Sequence, residues 1–234
     1  MSALTIPDLV GLGFFLLAWS AYARFVRYGF MGEQGLNERM NEFRIRWMVE
    51  MSQRDQRMVD SSVMGSLQNG AAFFTSTSLI AVGGAITMLR ATDDMLRIFA
   101  DLPLGLVADR TLWELKSIGL LLIFGYAFFK FAWAYRLFNF AAILVGATPA
   151  RISEDAAARD EMVRRAARMN MVAGSHFTRG QRAFFFALAY LGWFLGPWVF
   201  MVATAAVIYV MWARQFRSEA RRALDAAPFD TDFK

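Results

Sequence analysis

Four long stretches of this chain are predominantly apolar, 9–23 with Thr5 and Ile6 ahead of it, 61–89, 117–149 and 183–213, and only the third carries charge inside it. A helix of about 20 residues crosses a hydrocarbon core of about 30 Å, so these stretches predict membrane spans. Two other stretches mix apolar and charged residues at helical spacing. Between 29 and 60, Leu36, Met40, Phe43, Trp47, Met51 and Met58 recur mostly at steps of three, four or seven. Glu42–Arg46 and Glu50–Arg54 form i,i+4 pairs on the polar side. Between 151 and 170, Ser153 stands as a helix cap and Val163, Ala167 and Met171 follow at i,i+4 steps. The pattern predicts an all-α fold, an integral membrane helical bundle with about four transmembrane helices plus amphipathic cytoplasmic helices. The spans fall near 6–25, 66–89, 117–140 and 184–212 of a single multi-pass domain over 1–217, and 218–234 forms a charged tail.

The interiors of the spans differ. The third carries Lys130 and Arg136, which follow Thr111-Leu-Trp-Glu114, a capping-box sequence that predicts the helix start. Lys130, Trp133, Arg136 and Asn139 stand at steps of three along one side of that helix. A cation in apolar surroundings costs roughly 2.5 to 3.5 kcal/mol on insertion scales, so this ridge calls for an anion, a carbonyl or a route to the headgroups. Asp8 and Asp60 are the acidic candidates closest to the spans. The second span carries Thr75, Ser76, Thr77 and Ser78 followed by Gly83 and Gly84, a composition for close helix packing or for a polar wall facing Lys130. The fourth holds Gly192 and Gly196 at GxxxG spacing and then Pro197. It is long for one span and short for two, and predicts one tilted or kinked helix. His176, Arg179 and Arg182 just before it form an interfacial basic group.

Composition sharpens this picture. Hydrophobic residues make up 57% of 234 and include 23 Phe, too apolar for a soluble domain of this size. There are 25 Lys and Arg against 20 Asp and Glu, without a basic, aromatic-interleaved cluster of a nucleic-acid module. The chain has no cysteine, which excludes disulfides and thiolate chemistry, and its acidic residues and single histidine have no metal-ligand spacing. No cofactor, metal or catalytic role is expected. Arg24 and Arg27 follow the first span and no Lys or Arg precedes it, so it reads as an uncleaved anchor with its N-terminus outside. With four spans, fourteen basic residues fall inside and nine outside, and the basic tail from Arg214 to Arg222 argues against this orientation.

The sequences FFTSTSLIAVGGAI, LIFGYAFFKFAWAYRLFNFAAILVGATP and HFTRGQRAFFFALAYLGWFLGPWVF resemble the bacterial family described as domain of unknown function 599. The resemblance covers most of 5–217. It implies a multi-pass protein of the bacterial inner membrane and carries no activity. Two function classes follow from the residues. One is a membrane scaffold or interaction subunit that forms homo-oligomers through Ser76, Gly83, Gly84, Gly192 and Gly196 and binds anionic lipid at Lys130, Arg136, Asn139, Arg179 and Arg182. The alternative is a small-anion channel or transporter with Lys130 and Arg136 lining its path.

Overall fold

The computed structural model describes residues 4–28, 35–101, 109–150 and 155–225, which form helices joined by short turns. The helices are α1 (Ile6–Tyr28), α2 (Leu36–Ser52), α3 (Met58–Arg90), α4 (Thr92–Asp101), α5 (Arg110–Ala147), α6 (Ala156–Leu195), α7 (Pro197–Phe216) and α8 (Glu219–Asp225). Four of them, α1, α3, α5 and the helix beginning at Pro197, are long and apolar enough to cross a membrane. The protein is an all-α bundle.

The frame is α5, 38 residues and about 57 Å long. It packs between α3 and α6 along most of its length. Antiparallel pairing with α6 is marked by Lys116 against Trp193, Gly119 against Tyr190 and Phe131 against Gly180. Antiparallel pairing with α3 is marked by Trp113 at Met88, Phe131 at Phe74 and Thr148 at Arg57. Small residues on α5 and α6, among them Ala127, Ala134, Ala141, Ala166, Ala173 and Ala183, are buried and let the backbones approach.

The largest departure from the sequence pattern lies at the end of α6. The charged helix expected over 151–170 and the first half of the expected fourth span are one continuous helix of 40 residues. That helix stops at Gly196, whose φ of 138° suits glycine alone, and Pro197 opens α7 at its first turn. The chain then folds back on itself. Gly192 faces Ala203, Val199 and Phe200, and Trp193 stacks on Phe200 at 5.3 Å and 13°. The expected single kinked helix is therefore a hairpin. Gly196 serves that turn, and Gly192 packs inside the hairpin.

The bundle has two halves. In one, α1 and α7 join α3, α5 and α6 around Phe15, Trp19, Phe186, Tyr190, Trp193 and Phe200. Phe186 stacks on Trp19 at 4.8 Å and 16°, and Phe15 meets Phe186 and Tyr190 edge-on. In the other half α2 takes the place of α1 and α7. Its Met48 and Met51 are fully buried with Met64 and the small residues of α5 and α6, whereas Met40 and Phe43 are exposed. Met58 belongs to α3 and is exposed. The buried side of α2 is thus Met48, Met51 and Ser52, with Trp47 partly buried against the same core, so that of the expected stripe Met40 and Phe43 lie exposed.

Other local expectations shift by a turn. Asp109, not Thr111, caps α5, accepting from the Leu112 amide at 3.0 Å, while Glu114 pairs with Arg110 at 2.9 Å. Asp155 caps α6, accepting from the Ala158 amide at 2.8 Å; Ser153 lies outside the described residues, as does the tail from 226. Glu42 pairs with Arg39, and Arg54 with the buried Asp60 at 2.7 Å, which also accepts from the Trp47 indole at 2.7 Å. Arg57 closes the C-terminal end of α5, donating to the carbonyls of Val145, Thr148 and Pro149 at 3.1, 2.6 and 2.8 Å.

Candidate functional site

Where α2 hands over to α1 and α7, the bundle opens into a polar cavity of about 690 Å³. Its wall is built from five elements. Trp19 and Arg24 come from α1, Glu38 and Arg44 from α2, Tyr126 from α5, Arg179 and Arg182 from α6, and Gln215 from α7. Among the described residues of this wall are four arginines and one glutamate. Arg24 and Arg179 form no ion pair among the described residues. The Arg44 guanidinium is held by Asn41, to whose side-chain oxygen it donates at 2.9 Å, and by Gly174, over which it lies flat. A Cβ on Gly174 would sit 2.6 Å from both Cζ and Nη2 of Arg44. Burial pulls this guanidinium below the usual arginine range, a sign that it is desolvated without a carboxylate to compensate.

Aromatic rings lie under the other cations. Arg182 lies 5.1 Å over Tyr22 and Lys130 lies 5.1 Å over Tyr126. Lys130 is in electrostatic range of Arg179 and His176. Burial, with these two cations nearby, holds the His176 imidazole below its ordinary range. Two of the lining residues, Trp19 and Tyr126, meet edge-on at 6.1 Å between centroids.

Of the predicted ridge, Lys130 stands beside this cavity, over the Tyr126 ring that lines it, while the predicted Arg179 and Arg182 are in the wall itself. Arg136 points away, exposed over Phe140 at 5.5 Å, and Asn139 is half-buried further along α5. On α3, Ser76, Gly83 and Gly84 are exposed, and the two glycines have nothing within 4 Å of a Cβ position. The hydroxyls of Thr75, Thr77 and Ser78 donate back to the carbonyls of Ala71, Phe73 and Phe74, so they do not form a polar wall. Sequence reasoning missed Arg24 and Arg44, which stand on segments remote from Arg179. The signal available was small residues at Ala173, Gly174 and Ser175 beside a basic run.

A second buried charge cluster sits at the opposite end of the α1–α7 half. Asp8, 3% exposed, accepts from the Trp193 indole at 2.7 Å and from Thr5. Lys116, 7% exposed, donates to the Trp193 carbonyl at 2.7 Å. Trp193 thus holds an anion and a cation apart while satisfying both. Between this cluster and the basic cavity lies the aromatic core of Phe15, Trp19, Phe186 and Tyr190.

The sequence profile of a family described as a protein of unknown function, DUF599, matches residues 10–220. The chain belongs to the DUF599 family. The match takes in every element of the basic cavity, from Trp19 on α1 to Gln215 on α7. Neither a curated protein nor a solved structure matches this DUF599 chain. Family, helical bundle and four apolar spans together describe a multi-pass membrane protein.

Proposed function

We propose that this protein is a membrane scaffold of the bacterial inner membrane that seats the headgroup of an anionic lipid in the basic cavity. The observation that carries this reading is the meeting of Arg24, Arg44 and Arg179 in one cavity, where neither Arg24 nor Arg179 forms an ion pair among the described residues and Arg44 is held by Asn41. Arginine forks fit phosphate oxygens in bidentate fashion. Basic pockets between helices at the cytoplasmic face are a recurrent way to hold such lipids.

The hairpin at Gly196 supports the orientation. It returns the tail to the side of α2, so that seven basic residues in 24–60, seven in 151–182 and five from Arg214 onward share one side, against four in 90–116. Nineteen against four obeys the positive-inside rule far better than the fourteen against nine of a four-span count. The cavity then faces the cytoplasm and the N-terminus lies outside. Self-association belongs to α3, where Ser76, Gly83 and Gly84 are open.

The absence of cysteine gives a clean test of orientation. Single cysteines at Asn41 and Ser218 are expected to react with an impermeant thiol reagent from the same side, and one at Asp94 from the other; labelling of 41 and 218 from opposite sides would sink the topology. Binding is tested by the lipid phosphorus retained after purification in mild detergent. Arg44→Gln with Arg179→Gln is expected to lose most of it, and full retention would refute the cavity as the seat. The anion-path reading is disfavoured by the aromatic core that separates the cavity from Lys116.

A further inference from the structure

His176 is the single histidine of the chain. Its Nδ1 is buried and has no hydrogen-bond partner among the described residues, and a polar atom buried in that way is costly. Two neighbours place it at the edge of the basic cavity. Arg179, one turn later on the same side of α6, lines the cavity wall. Lys130 comes from α5: the contact of Phe131 with Gly180 sets it at the level of Arg179, and its ammonium lies 5.1 Å over the ring of Tyr126, a lining residue. The three groups are in electrostatic range of one another. Among the described residues none of them has a carboxylate partner. Further along the cavity stand Arg24 of α1, Glu38 and Arg44 of α2, and Arg182 of α6, while α3 presents the ring of Phe74 against Phe177 at this level.

An imidazole beside two cations stays neutral, and with its proton on Nε2 its Nδ1 is an acceptor that no donor reaches. A phosphate oxygen placed among the three groups reverses this. The protonated imidazole then donates from Nδ1, Lys130 and Arg179 donate to the same anion, and mutual repulsion gives way to attraction toward one charge. We infer that Lys130, His176 and Arg179 form the phosphate-contacting edge of the basic cavity, and that the lipid headgroup binds together with one proton taken up on His176. This rests on the lipid-seat reading above and adds to it the residues that touch the phosphate and a dependence on pH. Linkage sets the sign. The lipid-free imidazole titrates below its ordinary value of 6.5 and the bound phosphate raises it, so affinity grows as pH falls from the raised value to the lipid-free one.

The test uses the full chain in nanodiscs of neutral phosphatidylcholine containing a few per cent of phosphatidylglycerol, at which content the surface charge of the bilayer is small. The phosphodiester of that lipid keeps one charge between about pH 5 and 8, so any titration belongs to the protein. Bound lipid is read by native mass spectrometry, and isotope-labelled histidine gives a single imidazole to follow by NMR. The wild type is expected to hold phosphatidylglycerol at least about tenfold tighter at pH 5 than at pH 8, and its imidazole midpoint to move up by about one pH unit when the lipid is added. His176→Gln is expected to bind as the wild type does at pH 8 and to lose the dependence on pH. Lys130→Gln is expected to weaken binding about tenfold, the effect of one charge-assisted hydrogen bond, and Lys130→Arg to recover part of it, which separates charge from folding. An imidazole midpoint that does not move on adding lipid, or the same pH dependence in His176→Gln, would overturn this inference and leave the lipid seat standing. Failure to bind phosphatidylglycerol at either pH would overturn the lipid seat itself. Glycerol phosphate displacing the lipid at equal concentration would assign the site to a soluble phosphate ester and overturn the lipid source.

Discussion

Gly174→Ala separates the stability of the bundle from its chemistry. The added methyl would sit 2.6 Å from Cζ and Nη2 of Arg44, too close for both to stay. The obstacle is the far end of a flexible side chain, so the guanidinium swings away and the helices keep their places. In the helix interior the substitution itself favours α6 by up to about 1 kcal/mol. The displaced Arg44 no longer reaches a phosphate in the cavity, and one charge-assisted hydrogen bond is worth roughly 1.5 to 3 kcal/mol, or about 10- to 150-fold in affinity. The variant is therefore expected to melt within a few degrees of the wild type while losing at least about tenfold in affinity for anionic lipid. A thermal melt in detergent and lipid titration by native mass spectrometry read the two effects. Unchanged lipid affinity with an unchanged melt would refute the role of Arg44, and a collapse in stability would refute the claim that its guanidinium is free to move.

Gly180→Ala has the opposite character. Its methyl would meet the Phe131 ring at 2.7 to 2.9 Å, and that ring is fully buried and stacked on Phe74, so a loss of about 1 to 3 kcal/mol is expected in detergent unfolding. Asp8→Ala leaves the buried Trp193 indole without its acceptor, and a loss of about 1 to 3 kcal/mol is expected, measured the same way. Because His176 is held below its ordinary range, the folded state resists its protonation. Stability is complete above about pH 6.5, falls as pH drops below that value, and levels off once the lower folded pKa is passed. Melting temperatures between pH 8 and 5 are expected to show this fall and His176→Gln to flatten it; an equal slope in the variant would assign it to other groups.

Much of the fold was legible because lipid-facing helices must be apolar throughout. α1, α3 and α5 follow the hydropathy pattern closely, and α2 was visible as amphipathic. What hydropathy could not show was α6. Its second half is buried on several sides by Ala183, Phe186, Ala187, Ala189, Tyr190 and Trp193, so it needs neither an unbroken apolar surface nor the length of an independent span. The Gly196-Pro197 pair is a turn signal, but inside an apolar run it reads equally as a kink. The basic site was half legible. Lys130, Arg179 and Arg182 stand near apolar runs where charge is conspicuous, whereas Arg44 sits in a helix full of charges and becomes distinctive only when Gly174 receives it. Arg136 drew attention for the same reason as Lys130, yet six residues further along α5 it faces outward.

The hairpin at Gly196 also bears on biosynthesis. During translation, residues 183–195 emerge attached to a charged half-helix and are too short to be recognised as a stop in their own right. α7, which follows at once, is sufficiently apolar. α6 thus depends on α7 for its cover: a chain ending before Pro197 would keep three apolar spans but leave Phe186, Tyr190 and Trp193 of α6 without Phe200, Ala203 and Val207 against them.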